Sequence, residues 1–320
     1  MVLEAIYEGH FEWTSHGFRP NRSCHTALKS LQNNFNGAKW FIEGDIKGFF
    51  DHMKHEWIIK FLYLYIKDPN IIGLVKKYLK VGVIDGGELM MNEEGSAQGN
   101  IISPILANIY MHNVLTLWYK FIITKECKGD NFLIVYADDF VAGFQYKWEA
   151  ENYYKLLKER MEKFGLQLEE SKSRLLQSGA YIARAKQKSG ESTRLETFDF
   201  LGFTFYCGRS RKGMPYIMPK TSSKKFRQKI RDIKVWIYAN RDQSLKKLMG
   251  MLNLKLVGHY RYYGISFNGR MISNYKQQVR ELLFKVLNRR SDRKSYTREG
   301  FIEMLKYYPL AMPKIYVSLF

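Results

Sequence analysis

The sequence predicts an α+β fold followed by a smaller, strongly basic helical unit, and three observations carry that prediction. Short apolar β-type runs end in acidic residues. Apolar positions recur at helical spacing in the segments between them. The excess positive charge falls entirely in the last third of the chain, where residues 206–320 carry 26 Lys+Arg against 6 Asp+Glu while residues 1–205 carry 25 of each. A chain of 320 residues with 46% hydrophobic content lies well outside the disordered range and is long enough for two or three packed units.

Taken in order, Lys39 to Ile46 is rich in β-formers and reads as a strand that delivers Asp45 at its C-terminal end. Trp57, Ile58, Phe61, Leu62 and Tyr65 share a helical face over about residues 54–66, and Asp68-Pro69 stops that pattern. The glycine-rich stretch Gly82 to Gly99 suggests a hairpin plus a loop. A helix is predicted over 104–121, with Ser103 as N-cap and Pro104 in the first turn. Asn131–Ala137 and Phe140–Phe144 are β-type runs separated by Asp138-Asp139, the pattern of a tight hairpin with an acidic tip. A helix over 149–164 should close at Gly165. Residues 166–168, 173–176 and 197–206 read as strands, residues 207–223 as a linker, and residues 224–288 as mainly helix. Helices packed on a mostly antiparallel sheet account for the first part, and a small bundle for the last.

Cys24, Cys127 and Cys207 are scattered singly, which argues against a disulfide framework or a zinc site. No run of eighteen uncharged apolar residues occurs, and Glu4, Glu8 and Glu12 do not fit a secretory signal. A soluble protein of the bacterial cytoplasm or an organellar matrix, without a membrane partner, is the expectation. A basic segment as dense as the last third points to nucleic-acid phosphates.

Asp45, Asp138 and Asp139 are the candidate chemistry. An isolated Asp-Asp pair is usually a polar turn. Here both acidic sites directly follow apolar strands, and carboxylates at the ends of buried strands are costly unless a cation meets them. Magnesium prefers oxygen ligands and completes its shell with waters and substrate phosphates. Two such ions can activate an attacking hydroxyl and stabilise a leaving oxygen.

The motifs around these residues resemble the group II intron reverse transcriptase/maturase family. Tyr136-Ala-Asp-Asp139 is similar to its YADD signature. Ser15-His-Gly-Phe-Arg-Pro-Asn-Arg-Ser23, Gly44-Asp-Ile-Lys-Gly-Phe-Phe-Asp51, Gly95-Ser-Ala-Gln-Gly-Asn-Ile-Ile-Ser-Pro104, Phe200-Leu-Gly-Phe203 and Gly258-His-Tyr-Arg-Tyr-Tyr-Gly264 resemble further blocks in the expected order. The resemblance implies a right-hand polymerase palm with partial fingers, then an α-helical thumb or maturase (X) domain. Its boundaries would be a fingers segment at 1–38, the palm at 39–206, a linker at 207–223 and the thumb at 224–320. It also implies an N-terminally short member without an endonuclease domain.

Carried over by position, the resemblance makes Asp45, Ile46, Asp138 and Asp139 the metal set for two Mg2+, with Mn2+ as a substitute. Phe50 would bar a 2′-hydroxyl, with Gly48, Phe49 and Gln98 also near the incoming nucleotide. Ala97 and Asn100 depart from the family's usual residues around Gln98. Arg19 and Arg22 either contact template or triphosphate or form structural salt bridges. Lys172 is either a proton donor to pyrophosphate or a solvated loop lysine. Phe200, Leu201, Gly202 and Phe203 would form the primer grip. Lys220, Lys224, Lys225, Arg227, Lys229, Arg231, Tyr260, Arg261 and Tyr262 would bind nucleic acid through phosphate contacts and stacking. His52 and His55 have a metal-compatible spacing, but a helix surface accounts for them. The implied function is RNA-directed DNA polymerisation from an RNA template with a DNA or RNA primer and dNTPs, with splicing assistance to a group II intron RNA. The alternatives are a polymerase-impaired RNA-binding maturase and a defence-associated or retron-like reverse transcriptase.

Overall fold

The computed structural model describes residues 2–34, 37–80, 83–85, 88–90, 94–95, 101–190, 195–209, 213–289 and 296–319. The chain divides into two compact units, Met1–Leu201 with Cys207–Ile217, and Gly202–Tyr206 with Met218–Phe320. In the first unit, α1 (Val2–Tyr7) and α2 (Cys24–Asn34) precede β1 (Trp40–Gly44). Three helices follow, α3 (Phe49–His52), α4 (His55–Leu62) and α5 (Pro69–Lys80), then a small antiparallel pair, β2 (Val83–Asp85) and β3 (Glu88–Met90).

The next helix, α6, spans Ser103–Met111 and runs on through two wide-turn π segments, His112–Thr116 and Tyr119–Ile123, into α7 (Thr124–Glu126). Two details differ from expectation. Ile102 is the N-cap position, without a side-chain cap, and Ser103 lies inside the helix. The stretch is not uniform either, because the Leu117 N–H reaches the His112 carbonyl five residues back, and the Thr116 hydroxyl shares that carbonyl at 3.0 Å.

The remaining elements of this unit are β4 (Asn131–Tyr136), β5 (Asp139–Phe144), α8 (Lys147–Lys163), β6 (Arg174–Gln177), α9 (Ala180–Lys188) and β7 (Phe198–Phe200). Gly165, with φ 76, follows α8 as the sequence predicts. Residues 166–168 form no strand; they contribute one antiparallel bridge, Ile46 with Leu168.

The main sheet has the order β4-β5-β1-β6, and its pairs are antiparallel. Strand alternation divides its faces. Ile42, Leu133, Val135, Phe140, Ala142 and Phe144 enter the core shared with α4, α6 and α8. Phe41 points to the other face, where it stacks on Phe198 at 5.4 Å and meets Phe132 at 6.1 Å. Buried tyrosines tie the helical layer down: Tyr7 Oη donates to the Phe61 carbonyl at 3.0 Å and Tyr110 Oη to that of Phe164 at 2.5 Å. Each such ring contributes roughly 2–3 kcal/mol through burial.

Further along, β8 (Phe203–Arg209) and β9 (Pro215–Thr221) are neighbours in a sheet. Residues 207–223 are therefore not a bare linker, and 197–206 is not one strand. Leu201 and Gly202 both have positive φ, 50 and 79, and turn the chain between β7 and β8. The second unit is built on α10 (Ser223–Ala239), α11 (Leu245–Tyr263), α12 (Gly269–Leu287) and α13 (Arg298–Tyr307). Ile233 and Ile237 of α10 and Val279, Leu283 and Val286 of α12 supply buried apolar faces where these helices pack. Buried Asn268 fastens the α11–α12 junction, donating to Thr221 Oγ1 and the Tyr263 carbonyl and accepting from the Thr221 N–H, each at 2.8 Å.

Candidate active site

Antiparallel register sets the acidic residues together. Gly44 pairs with Phe140 and Glu43 with Val141, so one further step places Asp45 opposite Asp139. Residues opposed in this way lie on the same sheet face, with Cβ atoms about 5 Å apart. Parity assigns that face: Asp45 follows Phe41 and Glu43, while Ile42 and Ile46 point into the core. Asp138 occupies the turn of the β4–β5 hairpin. Tyr136 pairs with Asp139, so the two turn residues are Ala137 and Asp138, and Asp139 is the first residue of β5. The turn predicted at Asp138-Asp139 is thus shifted by one residue. Ala137 adopts φ 55, as the first central residue of a II′ hairpin turn does.

The geometry leaves little room for other residues. A Cβ on Gly44 would run into the Phe140 ring. A Cβ on Gly17 would come within 2.6 Å of the Ala137 nitrogen, so the Ser15-His-Gly-Phe block lies directly against the acidic turn. Ser15 bridges Val135 in parallel, the His16 N–H donates to the Val135 carbonyl at 2.9 Å, and Asn108 Nδ2 donates to the Gly17 carbonyl at 2.7 Å. That block acts as a brace on the hairpin.

A cleft of about 270 Å3 is lined by Asp45, Ile46, Lys47, Gly48, Phe49, Phe50, Asp51, Asp138, Glu169 and Lys172. Burial, then the Asp138 and Asp45 charges, push the Asp139 carboxyl up to about 7. Asp138 is raised by burial and by Asp45, and Lys172 acts in the opposite direction. Lys172 Nζ bonds Asp45 Oδ2, and this bond to Asp45 raises the lysine above its usual range. Among the described residues, no three acidic, histidine or cysteine side chains form a ready-made cage for an ion. The donor chemistry nevertheless fits a hard divalent cation. It is oxygen-only, crowded and half-desolvated, and it opens on a cleft where waters and phosphate oxygens can complete a shell.

The other predicted residues fall into distinct groups. Phe50 is half-buried beside core Phe49, at a ring separation of 5.4 Å, and both line the cleft with Gly48. Ile46 is buried, so only its main chain could face a ligand. Gln98 lies outside the described residues. Arg19 is not available for nucleotide: its side chain is 5% exposed, pairs with Glu8 at 2.8 Å and donates to the Glu12 and Ser15 carbonyls at 2.7 and 2.9 Å. Arg22 is half-buried and bonded to the Trp13 carbonyl at 3.3 Å. His55 bonds the Gly95 carbonyl at 2.6 Å.

In the primer-grip block, Phe200 and Phe203 are core residues and only the Leu201-Gly202 turn is partly exposed. On α10, Lys224, Lys225, Arg227, Lys229 and Arg231 are exposed, while Lys220 lies 4.9 Å from the centre of the Tyr206 ring. Tyr260 is fully buried, with its hydroxyl on the Ala311 carbonyl at 3.2 Å, and is therefore structural; Arg261 and Tyr262 are exposed. Sequence reasoning missed Glu43, Lys47, Asp51 and Glu169. Glu43 was legible in principle, two residues before Asp45 and so on the same sheet face. It pairs with Arg174 at 3.3 Å and accepts from the Asp199 N–H at 3.1 Å.

The family model for reverse transcriptase (RNA-dependent DNA polymerase) matches residues 2–205. The chain belongs to the reverse transcriptase family. A second model, the group II intron maturase-specific domain, matches residues 223–302, so the chain is of the group II intron type within that family. Among its relatives is the group II intron-encoded protein LtrA of Lactococcus lactis subsp. cremoris, 47% identical over 130 residues, which are 41% of this chain and 21% of that protein. An uncharacterized 91 kDa protein in the cob intron of Schizosaccharomyces pombe is 50% identical over 114 residues, 36% of this chain and 14% of that protein. The chain thus spans about a fifth or less of the length of these curated relatives. A telomerase structure from Candida albicans matches with a TM-score of 0.49 at 13% identity, over 95% of this chain and 52% of that one. No helix among the described residues is long and apolar enough to cross a membrane.

Proposed function

We propose that this chain is an RNA-directed DNA polymerase that extends a DNA or RNA primer on an RNA template with dNTPs, and that it assists splicing of a group II intron RNA. The observation that carries the reading is the register that, extended one step, sets Asp45 opposite Asp139, with Asp45 and Asp138 lining a cleft. Asp45, Asp138 and Asp139, with the Ile46 main chain, would hold two Mg2+ ions. Bound there, the ions supply charge neutralisation and activation of a primer 3′-hydroxyl.

The protein's own residues do the rest. The Ser15–Gly17 brace holds the acidic turn against β4. Phe50 forms the wall that meets the sugar, where a 2′-hydroxyl separates ribo- from deoxyribonucleotide. Lys172, held at the cleft by Asp45, is the proton donor to the departing pyrophosphate; a placed general acid contributes roughly 10² to 10⁴ in rate. The exposed cations of α10, with Arg261 and Tyr262 of α11, contact the nucleic-acid backbone without reading sequence. The proposed location is the bacterial cytoplasm or an organellar matrix.

The test is primer extension by the purified chain on an RNA template with Mg2+ and dNTPs. Extension that stops on chelation supports the assignment. Tight RNA binding with no extension in either Mg2+ or Mn2+ would leave only a maturase role.

A further inference from the structure

A second cavity, of about 380 Å3, lies in the first unit and is lined by Gln32, Asn33, Ala180, Tyr181, Arg184, Tyr216 and Ile217. It is separate from the acidic cleft. In the β1–β6 ladder Trp40 pairs with Gln177, at the end opposite Asp45, and Gly179, just before α9, packs on the Ala38 carbonyl at that same end. The length of β1 therefore separates the two sites, roughly 17 Å at strand rise.

Its walls are chemically specific. Gln32 is 6% exposed; its Nε2 donates to the Ile217 carbonyl at 3.1 Å, while its Oε1 has no hydrogen-bond partner. An unpaired buried amide oxygen is destabilising unless a ligand donor or water reaches it. Helix α9 is nine residues long, begins at Ala180 on the cavity wall and has no side-chain cap on its first N–H groups. Arg184, one turn further on, lies 5.8 Å from the centre of the Tyr181 ring, and among the described residues no carboxylate pairs with it. Tyr181 is 53% exposed. Neither α2 nor α9 contains an acidic residue, and α9 adds Lys186 and Lys188.

We infer that this cavity is a docking subsite for one nucleotide of a single-stranded RNA segment, separate from the primer-template track. An anion suits the open N-terminus of α9 and the Arg184 guanidinium. A base suits the Tyr181 face, because stacking of this kind tolerates any base. Gln32 Oε1 is an acceptor for an exocyclic amine or a ribose hydroxyl. The volume falls in the range of small-ligand pockets. The inference rests on the chain handling RNA but not on its polymerase chemistry.

The experiment uses the full chain saturated with a short primer-template duplex and adds a fluorescent single-stranded RNA ten-mer containing 5-bromouridine. Binding is read by anisotropy, and ultraviolet crosslinks are mapped by mass spectrometry. Crosslinks on Tyr181 or Tyr216 are expected, together with at least a fivefold loss of ten-mer affinity in Y181A and in R184Q. Primer extension and thermal stability should stay within twofold and about 2 °C of wild type. Four results would each overturn the subsite: crosslinks confined to other residues, unchanged affinity in both variants, equal loss of primer extension in them, or equally tight binding of a decaglutamate peptide. Because extension is measured in parallel, failure of the polymerase reading is seen separately.

Discussion

Under the proposed function, Phe50 sets substrate choice at the sugar. It is half-buried against Phe49 on the wall of the acidic cleft. Phe50→Ala should narrow the preference for dCTP over CTP, measured as the ratio of kcat/KM values, by about tenfold or more, since about 1.4 kcal/mol of discrimination in the transition state is a factor of ten. An unchanged ratio would place the sugar elsewhere. Arg19 makes the complementary point. Its position in a motif suggested nucleotide contact, yet it is consumed by Glu8 and two carbonyls. Arg19→Gln should lower unfolding free energy by about 3 kcal/mol in urea melts, because it strands partly buried acceptors. The KM for dNTP in the folded fraction should not move. Sequence position alone does not distinguish the two roles, because both require a cation near the acidic turn.

At the scale of elements, the β1 strand, the β4–β5 hairpin and the long helices were legible because each carries a strong period and a chemical stop, such as Gly165 after α8. The turn at Leu201-Gly202 was not, since a leucine at φ 50 gives no residue-type signal for left-handed backbone. The β8–β9 pairing inside the expected linker was hidden by glycine, proline and lysine, residues that a strand tolerates when its neighbours supply the ladder. Within the Gly258–Gly264 motif, half of the pattern is internal packing: Tyr260 and Tyr263 are buried and His259 stacks on Tyr275 at 3.6 Å. Helix α10 presents its cations to solvent as the sequence suggests. Replacing Lys224, Lys225 and Arg227 together with glutamine should reduce the slope of log affinity against log salt by about 2–3, because each duplex phosphate left without its cation takes away about 0.9. An unchanged slope would move the nucleic-acid track off this helix.

For the whole molecule, the acidic cleft and the basic surface are separate electrostatic devices, and acid acts on its stability through buried imidazoles as well. Burial lowers His259 to about 3, with Lys229 adding to the effect, and burial lowers His16 and His112 to about 4. A histidine whose folded pKa lies below its unfolded value of 6.5 contributes fully above pH 6.5 and loses that contribution as pH falls toward the folded pKa. The raised carboxyl of Asp139 works in the opposite direction, favouring the fold when protonated. Comparison with a non-titrating variant isolates the histidine. The stability of His259→Phe relative to wild type should improve by up to about 1.4 kcal/mol per pH unit as pH falls from 6.5 toward 3. A pH-independent difference would show that His259 is already charged in the fold.

Of the candidate site, the carboxylates could be read from the ends of apolar strands, whereas Phe50 was offered only by the family resemblance. Lys47, Asp51 and Glu169 could not be assigned, because their place on the cleft wall depends on the fold around the end of β1, including the bridge between Ile46 and Leu168. The most direct measurement is single-nucleotide incorporation by Asp138→Asn under single-turnover conditions in Mg2+, with primer-template affinity measured on the same preparation. The account predicts a loss of incorporation of at least a thousandfold with affinity within threefold of wild type. Incorporation within tenfold of wild type would remove Asp138 from the chemistry.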